Sequence, residues 1–193
     1  MEQLIEFDKE LFLLLNNLGN PVWDDFWNIL TNKWSSIPLY AVLIYLLYKS
    51  LGLKGAIISI ILVAGMITIT DQLANVFKDA FQRPRPCRQE GVMEFARFIA
   101  ERCGRYGYFS AHAASSAALA IYMGLMLKPF YSKIFPILII WAAMVAYSRI
   151  YVGVHYPGDI LTGMLLGVIV GWIFYKIQQS LLRKYNNAGT HQE

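Results

Sequence analysis

The sequence predicts an all-α fold: a polytopic membrane helical bundle of about five transmembrane helices, preceded by N-terminal interfacial amphipathic helices. Three observations predict it. Of 193 residues, 56% are hydrophobic and only 16% charged, where soluble domains carry about 25% charged residues. Mean hydropathy is +0.42. The ionisable residues gather at the ends of five long apolar runs. The length fits one domain. The net charge of +4 is not laid out as a basic stripe, so the bilayer is the expected partner and nucleic acid is not. Nothing in the pattern specifies an oligomeric state.

The N-terminal stretch carries Glu2, Glu6, Asp8 and Glu10 beside Lys9, which does not read as a signal peptide. Residues 4–18 form a weak amphipathic helix, with Leu4, Phe7, Leu11, Leu14 and Leu18 at helical spacing. Gly19, Asn20 and Pro21 end it, and residues 22–30 make a second short helix. Trp23, Trp27 and Trp34 cluster here, and tryptophan favours the membrane interface. Residues 1–34 are therefore expected to lie at the interface, residues 35–185 to form the membrane domain, and residues 186–193, with a solvated His191, to form a polar tail.

A spanning helix needs about 20 apolar residues. The candidates are 36–52, 55–77, 109–127, 133–152 and 159–180. Lys49, Lys54, Lys128, Lys133, Lys176, Arg183 and Lys184 then share one side, which the positive-inside rule makes cytoplasmic. A raw count runs the other way, because Lys78, Arg85 and Arg149 lie opposite. The compact chain fits a bacterial inner (cytoplasmic) membrane, with the opposite side facing the periplasm. On the last run Asp159, Gly163, Gly167 and Gly171 recur every four residues; on the third, His112, Ser116, Ala120 and Gly124 do the same. Small residues at that spacing let membrane helices approach closely. Asp71, Asn75 and Lys78 share a face of the second run, where Asp71 and Asn75 read as interhelical hydrogen-bond partners.

Three polar clusters emerge on one side of this topology: Lys78 with Arg85, Ser110 with His112, and Arg149 with His155 and Asp159. Their chemistry suits a phosphate group. Lysine and two arginines neutralise its oxygens. The amides near Ser110 and Ala111 open a helix, where anions are favoured. An imidazole at His155 can attack phosphorus, with Asp159 holding the other ring nitrogen, while His112 moves a proton to the leaving group. No metal or other cofactor is required, and three nearby cations disfavour one.

Lys78-x6-Arg85-Pro86, then Ser110-Ala111-His112, then Ser148-Arg149-x5-His155-x3-Asp159 resembles the three-part signature of the type 2 phosphatidic acid phosphatase superfamily, in its membrane lipid phosphatase branch. The resemblance implies His155 as nucleophile, Asp159 as its partner and His112 as acid. It implies Lys78, Arg85, Ser110, Ala111 and Arg149 as phosphate binders, and a phosphohistidine intermediate. The implied substrate is a lipid phosphate monoester or diphosphate: undecaprenyl diphosphate, phosphatidylglycerol phosphate, phosphatidic acid or lipid A. The family's second motif usually reads Pro-Ser-Gly-His; Phe109 and Ala111 depart from it. The runner-up is a non-enzymatic, anion- or lipid-binding transporter component, though no inverted repeat is evident.

The loop 86–108 completes the reading. Arg88, Arg97, Arg102 and Arg105 are expected to meet the headgroup, and Arg83 and Arg88 to anchor to lipid headgroups. Cys87 and Cys103 are the only cysteines. On a periplasmic loop a disulfide between them is permitted; otherwise they are two buried thiols.

Overall fold

The computed structural model describes residues 2–189. Six α-helices follow in order: α1 Glu2–Asn17, α2 Pro21–Thr31, α3 Ile37–Phe81, α4 Ala111–Leu127, α5 Ile134–Tyr151 and α6 Pro157–Gly189. α6 thus continues helical into the stretch set apart as a polar tail, and residues 190–193, including His191, lie outside the described residues.

A continuous helix of 45 residues would measure about 68 Å, far more than a bilayer core of about 30 Å. α3 avoids this by breaking at Gly52, whose φ of 69° and ψ of 179° no helix contains. Glycine adopts a positive φ without the Cβ penalty. The arms 37–51 and 53–81 fold back on each other. Tyr40, Leu43 and Ile44 line one small cavity with Ile60, Val63 and Ile67, so residues of the two arms meet. The two apolar runs expected at 36–52 and 55–77 are these arms.

Three helices are long and apolar enough to cross a membrane: Trp34–Phe81, Ile134–Tyr151 and Pro157–Lys184; Ala111–Leu127 is apolar but shorter. α4 is the central one. It packs on α6, α5 and α3, and twelve of its seventeen residues are buried. Shortness suits that place, because its neighbours rather than lipid cover it. Leu43, Leu47, Met66, Tyr122, Leu138 and Val170 join the core from all the long helices.

The contact of α6 with α4 is closest. A Cβ added at Gly163 would lie 2.6 Å from the Ser110 carbonyl oxygen, at Gly167 2.2 Å from that of Ala114, and at Gly171 2.4 Å from that of Ala118. The glycine stripe therefore meets main chain directly. The facing line on α4 is Ser110, Ala114 and Ala118, not the His112–Gly124 stripe. Gly124 instead abuts Phe135 of α5, and His112 and Ser116 line a cavity bounded by α3 and α5.

At the other end of the bundle Gln178 ties three elements. Its Nε2 donates to Ser59 Oγ at 2.7 Å, and its Oε1 accepts from the Tyr122 hydroxyl. All three are buried.

α1 docks on the bundle by the face opposite its leucine stripe. Leu4, Phe7, Leu14 and Leu18 are exposed, while Phe12 and Asn16 are buried. The docking face is Asp8, Phe12 and Asn16, one helical row. Asn16 Nδ2 donates to the Arg97, Ile150 and Tyr151 carbonyls at 3.0, 2.9 and 3.0 Å, and its Oδ1 accepts from the Arg97 amide at 2.7 Å. The leucine stripe is left for lipid, as suits a helix on a membrane protein. Among the tryptophans, Trp27 stacks on Tyr151 at 5.2 Å, whereas Trp23 and Trp34 stay exposed.

Candidate active site

Each cluster is carried by a helix end. The chain leaves α3 just after Lys78. Gln82 caps the helix in the left-handed region, its amide donating to the Lys78 carbonyl. Residues 83–88 then run beside 103–107. Pro84 and Tyr106 form an isolated antiparallel bridge, the Gly107 amide donates to the Arg83 carbonyl at 2.9 Å, and Arg85 Nε donates to the Tyr106 carbonyl at 2.9 Å. The Sγ atoms of Cys87 and Cys103 are bonded, with Cα atoms 6.4 Å apart.

Ser110 caps α4: its hydroxyl oxygen accepts from the Ala113 amide at 3.4 Å. The first intrahelical bond runs from the Ala114 amide to the Ser110 carbonyl. The Ala111 and His112 amides precede it, at the end of the helix that attracts anions. Phe109, at the family's proline position, is buried against Ala74 and Ala114 and meets Phe77 edge-on at 5.1 Å. It fixes the approach to the helix by packing rather than by a locked φ.

α5 carries Arg149 in its last turn and closes on Gly153, whose φ of 84° and contact with the Arg97 carbonyl leave no room for a side chain. His155 follows. Pro157 begins α6, and Asp159 reaches back so that its Oδ2 accepts from the Tyr156 amide at 3.0 Å. The same oxygen lies 3.3 Å from His155 Nδ1. The Ser110 amide donates to the Asp159 carbonyl at 3.1 Å, which ties α4 to α6.

Gly107 marks where the clusters meet. A methyl group there would sit 3.0 Å from Asp159 Oδ2, 3.2 Å from Arg85 Cγ and 3.7 Å from His155 Nδ1. Burial first, then the charges of Arg85, Arg149 and Lys78, hold the His155 imidazole well below its ordinary 6.5; a backbone hydrogen bond with Gly107 pulls the other way. His155 is therefore neutral at pH 7. With Nδ1 3.3 Å from Asp159 Oδ2, a proton held on Nδ1 would leave the Nε2 lone pair for a nucleophilic role. Arg149 donates through Nη1 to the Thr31 hydroxyl. Among the described residues its buried Nε finds no acceptor, a donor suited to an oxyanion. His112 opens onto a cavity of about 350 Å³ shared with Thr31, Asp71, Ser115 and Trp141.

The structure thus brings Lys78, Arg85, Arg149, His155 and Asp159 together, with His112 within electrostatic reach of His155, Arg149, Arg85 and Lys78. It reassigns several arginines. Arg83 is no lipid anchor: it donates to Asp8 Oδ2 at 2.7 Å and Asp159 Oδ1 at 3.0 Å. Arg97 does not meet a headgroup; it donates to both Asp24 carboxylate oxygens at 2.9 Å and so fastens α2. Arg88 donates to the Cys103 carbonyl. Arg102 and Arg105 remain exposed. Sequence reasoning missed Asp8, Thr31, Arg83 and Gly107. Only Arg83 sent a signal, its place two residues before Arg85.

Residues 55–183 match the PAP2 superfamily. The chain belongs to that superfamily. It is 35% identical to a lipid A 4′-phosphatase of Bacteroides thetaiotaomicron, over 94% of this chain and 81% of that protein. It is 32% identical to a lipid A 4′-phosphatase of Porphyromonas gingivalis, over 92% and 75%. Aquifex aeolicus LpxE superposes with a TM-score of 0.67 at 28% identity, covering 86% of this chain and 93% of that one. The PAP2-type phosphatidylglycerolphosphate phosphatase of Bacillus subtilis shares the fold, with a TM-score of 0.74 at 19% identity and coverage of 93% and 88%. The expected resemblance is borne out, as is the all-α membrane bundle.

Proposed function

We propose that this multi-pass membrane lipid phosphatase removes a phosphate monoester of the lipid A class, through a phosphohistidine on His155. Superfamily membership together with the lipid A 4′-phosphatases matched over nearly the whole chain makes it a lipid phosphatase and a hydrolase; the lipid, the intermediate and the residue roles are our reading. One observation carries it: the buried His155 imidazole, with Nδ1 3.3 Å from Asp159 Oδ2, lies among Lys78, Arg85 and Arg149. The two lipid A 4′-phosphatases that match nearly the whole chain support the substrate.

The geometry supports the following steps. The phosphate oxygens bind Lys78, Arg85, Arg149 and the amides of Ala111 and His112. Nε2 of His155 attacks phosphorus in line, forming an N–P bond as the P–O bond to the lipid breaks. Protonated His112 gives its proton to the leaving alkoxide. Asp159 stabilises the imidazolium formed on His155. Water, losing a proton to His112, then attacks the phosphohistidine, the N–P bond breaks, and inorganic phosphate leaves. The cations act where charge spreads over the equatorial oxygens. Arg102 and Arg105, exposed on the loop, are placed to meet further negative groups of the substrate.

The same reading gives five membrane crossings, with Lys49, Lys54, Lys128 and Lys133 in the cytoplasm. The site and the Cys87–Cys103 bond then face an oxidising periplasm, where disulfides persist.

The test is phosphate release from purified lipid A, undecaprenyl diphosphate and phosphatidic acid in detergent micelles. Wild type should favour lipid A. His155→Ala should lose at least about 10⁴-fold in rate, and acid-labile ³²P should appear on wild type alone. Equal release by His155→Ala would refute the mechanism, and no release by wild type would restore the anion-binding alternative.

A further inference from the structure

We infer that Asp8, on the N-terminal helix, is a positioning residue for the reaction, acting on Asp159 through Arg83; the inference rests on the phosphatase reading above. The contacts form one chain. Asp8 Oδ1 accepts from the Gly158 amide at 2.7 Å, and Asp8 Oδ2 accepts from Arg83 Nη2 at 2.7 Å. Arg83 Nη1 donates to Asp159 Oδ1 at 3.0 Å. The guanidinium lies over the Tyr156 ring, 4.1 Å from its centroid. Asp8, Arg83 and Asp159 side chains are 15%, 21% and 0% exposed.

Gly158 is shaped for this contact. A Cβ there would lie 2.8 Å from Asp8 Oδ2, so only glycine admits the carboxylate at the first turn of α6. The helix row that places Asp8 also places Phe12 and Asn16 in the bundle, with Phe12 edge-on to Tyr156 at 5.4 Å.

The arrangement does two things. It fixes the plane of the Asp159 carboxylate, because a guanidinium gripped by two carboxylates has little freedom to turn. It also sets the charge. Arg83 alone would cancel Asp159. Shared with Asp8, the trio keeps one net negative charge beside His155, which becomes an imidazolium when Nε2 attacks. Asp8 therefore stabilises a charge that exists only after attack begins, so its loss acts on kcat rather than on binding.

The experiment uses full-length protein and lipid A in micelles, with kcat, KM and melting temperature measured for each variant. Asp8→Asn should lower kcat about tenfold, the effect of one pKa unit on a neighbouring charge, with KM held within about twofold. In an Arg83→Gln background it should add little, as expected for residues of one network. Asn16→Ala, which loosens the other end of α1, should leave kcat within about twofold of wild type. Should Asp8→Asn not fold, Gly158→Ala displaces the carboxylate sterically and carries the same expectation. Wild-type kcat in Asp8→Asn, or parallel loss of kcat in Asp8→Asn and Asn16→Ala, overturns the inference. Activity retained by His155→Ala would instead remove the phosphohistidine mechanism on which the inference rests, and no phosphate release by wild type would remove the phosphatase reading itself.

Discussion

Replacing Gly107 with alanine tests the core of the site with one methyl group. That methyl would stand 3.0 Å from Asp159 Oδ2 and 3.2 Å from Arg85 Cγ. Neither neighbour yields easily. Asp159 is fully buried and held through both oxygens, and Arg85 is fixed by its bond to Tyr106. Relief therefore needs a shift of a few tenths of an ångström in the pair Asp159–His155, already 3.3 Å apart. Overpacking of this kind costs about 1–3 kcal/mol of stability. Misplacing a reacting group by about 1 Å costs about 10²-fold in rate, so the smaller shift should cost about tenfold in kcat. Phosphate release at saturating lipid A reads kcat, and circular dichroism in the same micelles reads folding. A Gly107→Ala protein that melts as wild type and turns over within about twofold of it would refute the geometry drawn around His155.

Other outcomes follow from the same coordinates. Reducing the Cys87–Cys103 bond, or mutating both residues to serine, removes a closure of about 17 residues; stability should fall by about 3 kcal/mol, read as a lower melting temperature. Gly167→Val would press a branched side chain on the Ala114 carbonyl, 2.2 Å from the new Cβ, and should destabilise by at least about 3 kcal/mol. Gln178→Leu removes the acceptor of the buried Tyr122 hydroxyl and a donor to Ser59 Oγ, which keeps its own bond to the Gly55 carbonyl at 2.9 Å, costing about 1–3 kcal/mol. It lies about 28 Å along α6 from Asp159, so kcat should hold. The His155 imidazole titrates below 6.5 in the folded protein, so the unfolded chain takes up its proton first as the solution is acidified. Stability is then full above pH 6.5 and lost as the pH falls below it. His155→Gln should flatten that acid slope in a melting series.

The helical segments and the three clusters were legible in the sequence because each has a strong local signature. Apolar runs bounded by Lys49, Lys54, Lys128 and Lys133 mark segment ends, and the spacing from Arg149 to Asp159 marks a turn between helices. The α1 docking face was not legible. Leu4, Phe7, Leu14 and Leu18 form the better apolar stripe, but in a bilayer such a stripe is content to face outward. The face that meets protein is the one whose polar groups need partners, Asp8 and Asn16. Arg83 and Arg97 misled for a related reason. An arginine near a membrane surface suits lipid phosphate as well as a carboxylate, and their partners, Asp8 and Asp24, lie 75 and 73 residues away in sequence. The pairing of the glycine stripe with Ser110, Ala114 and Ala118 was equally hidden, since most α4 positions from 111 to 120 are also small.

Where α6 lies against α4, oxygen faces glycine with no side chain between. The spacing of the two backbones that carry His112 and Asp159 is thus set by main-chain contact, with no side-chain torsion in it. It behaves as a machined gauge: side chains elsewhere can change rotamer while the two backbones keep one distance.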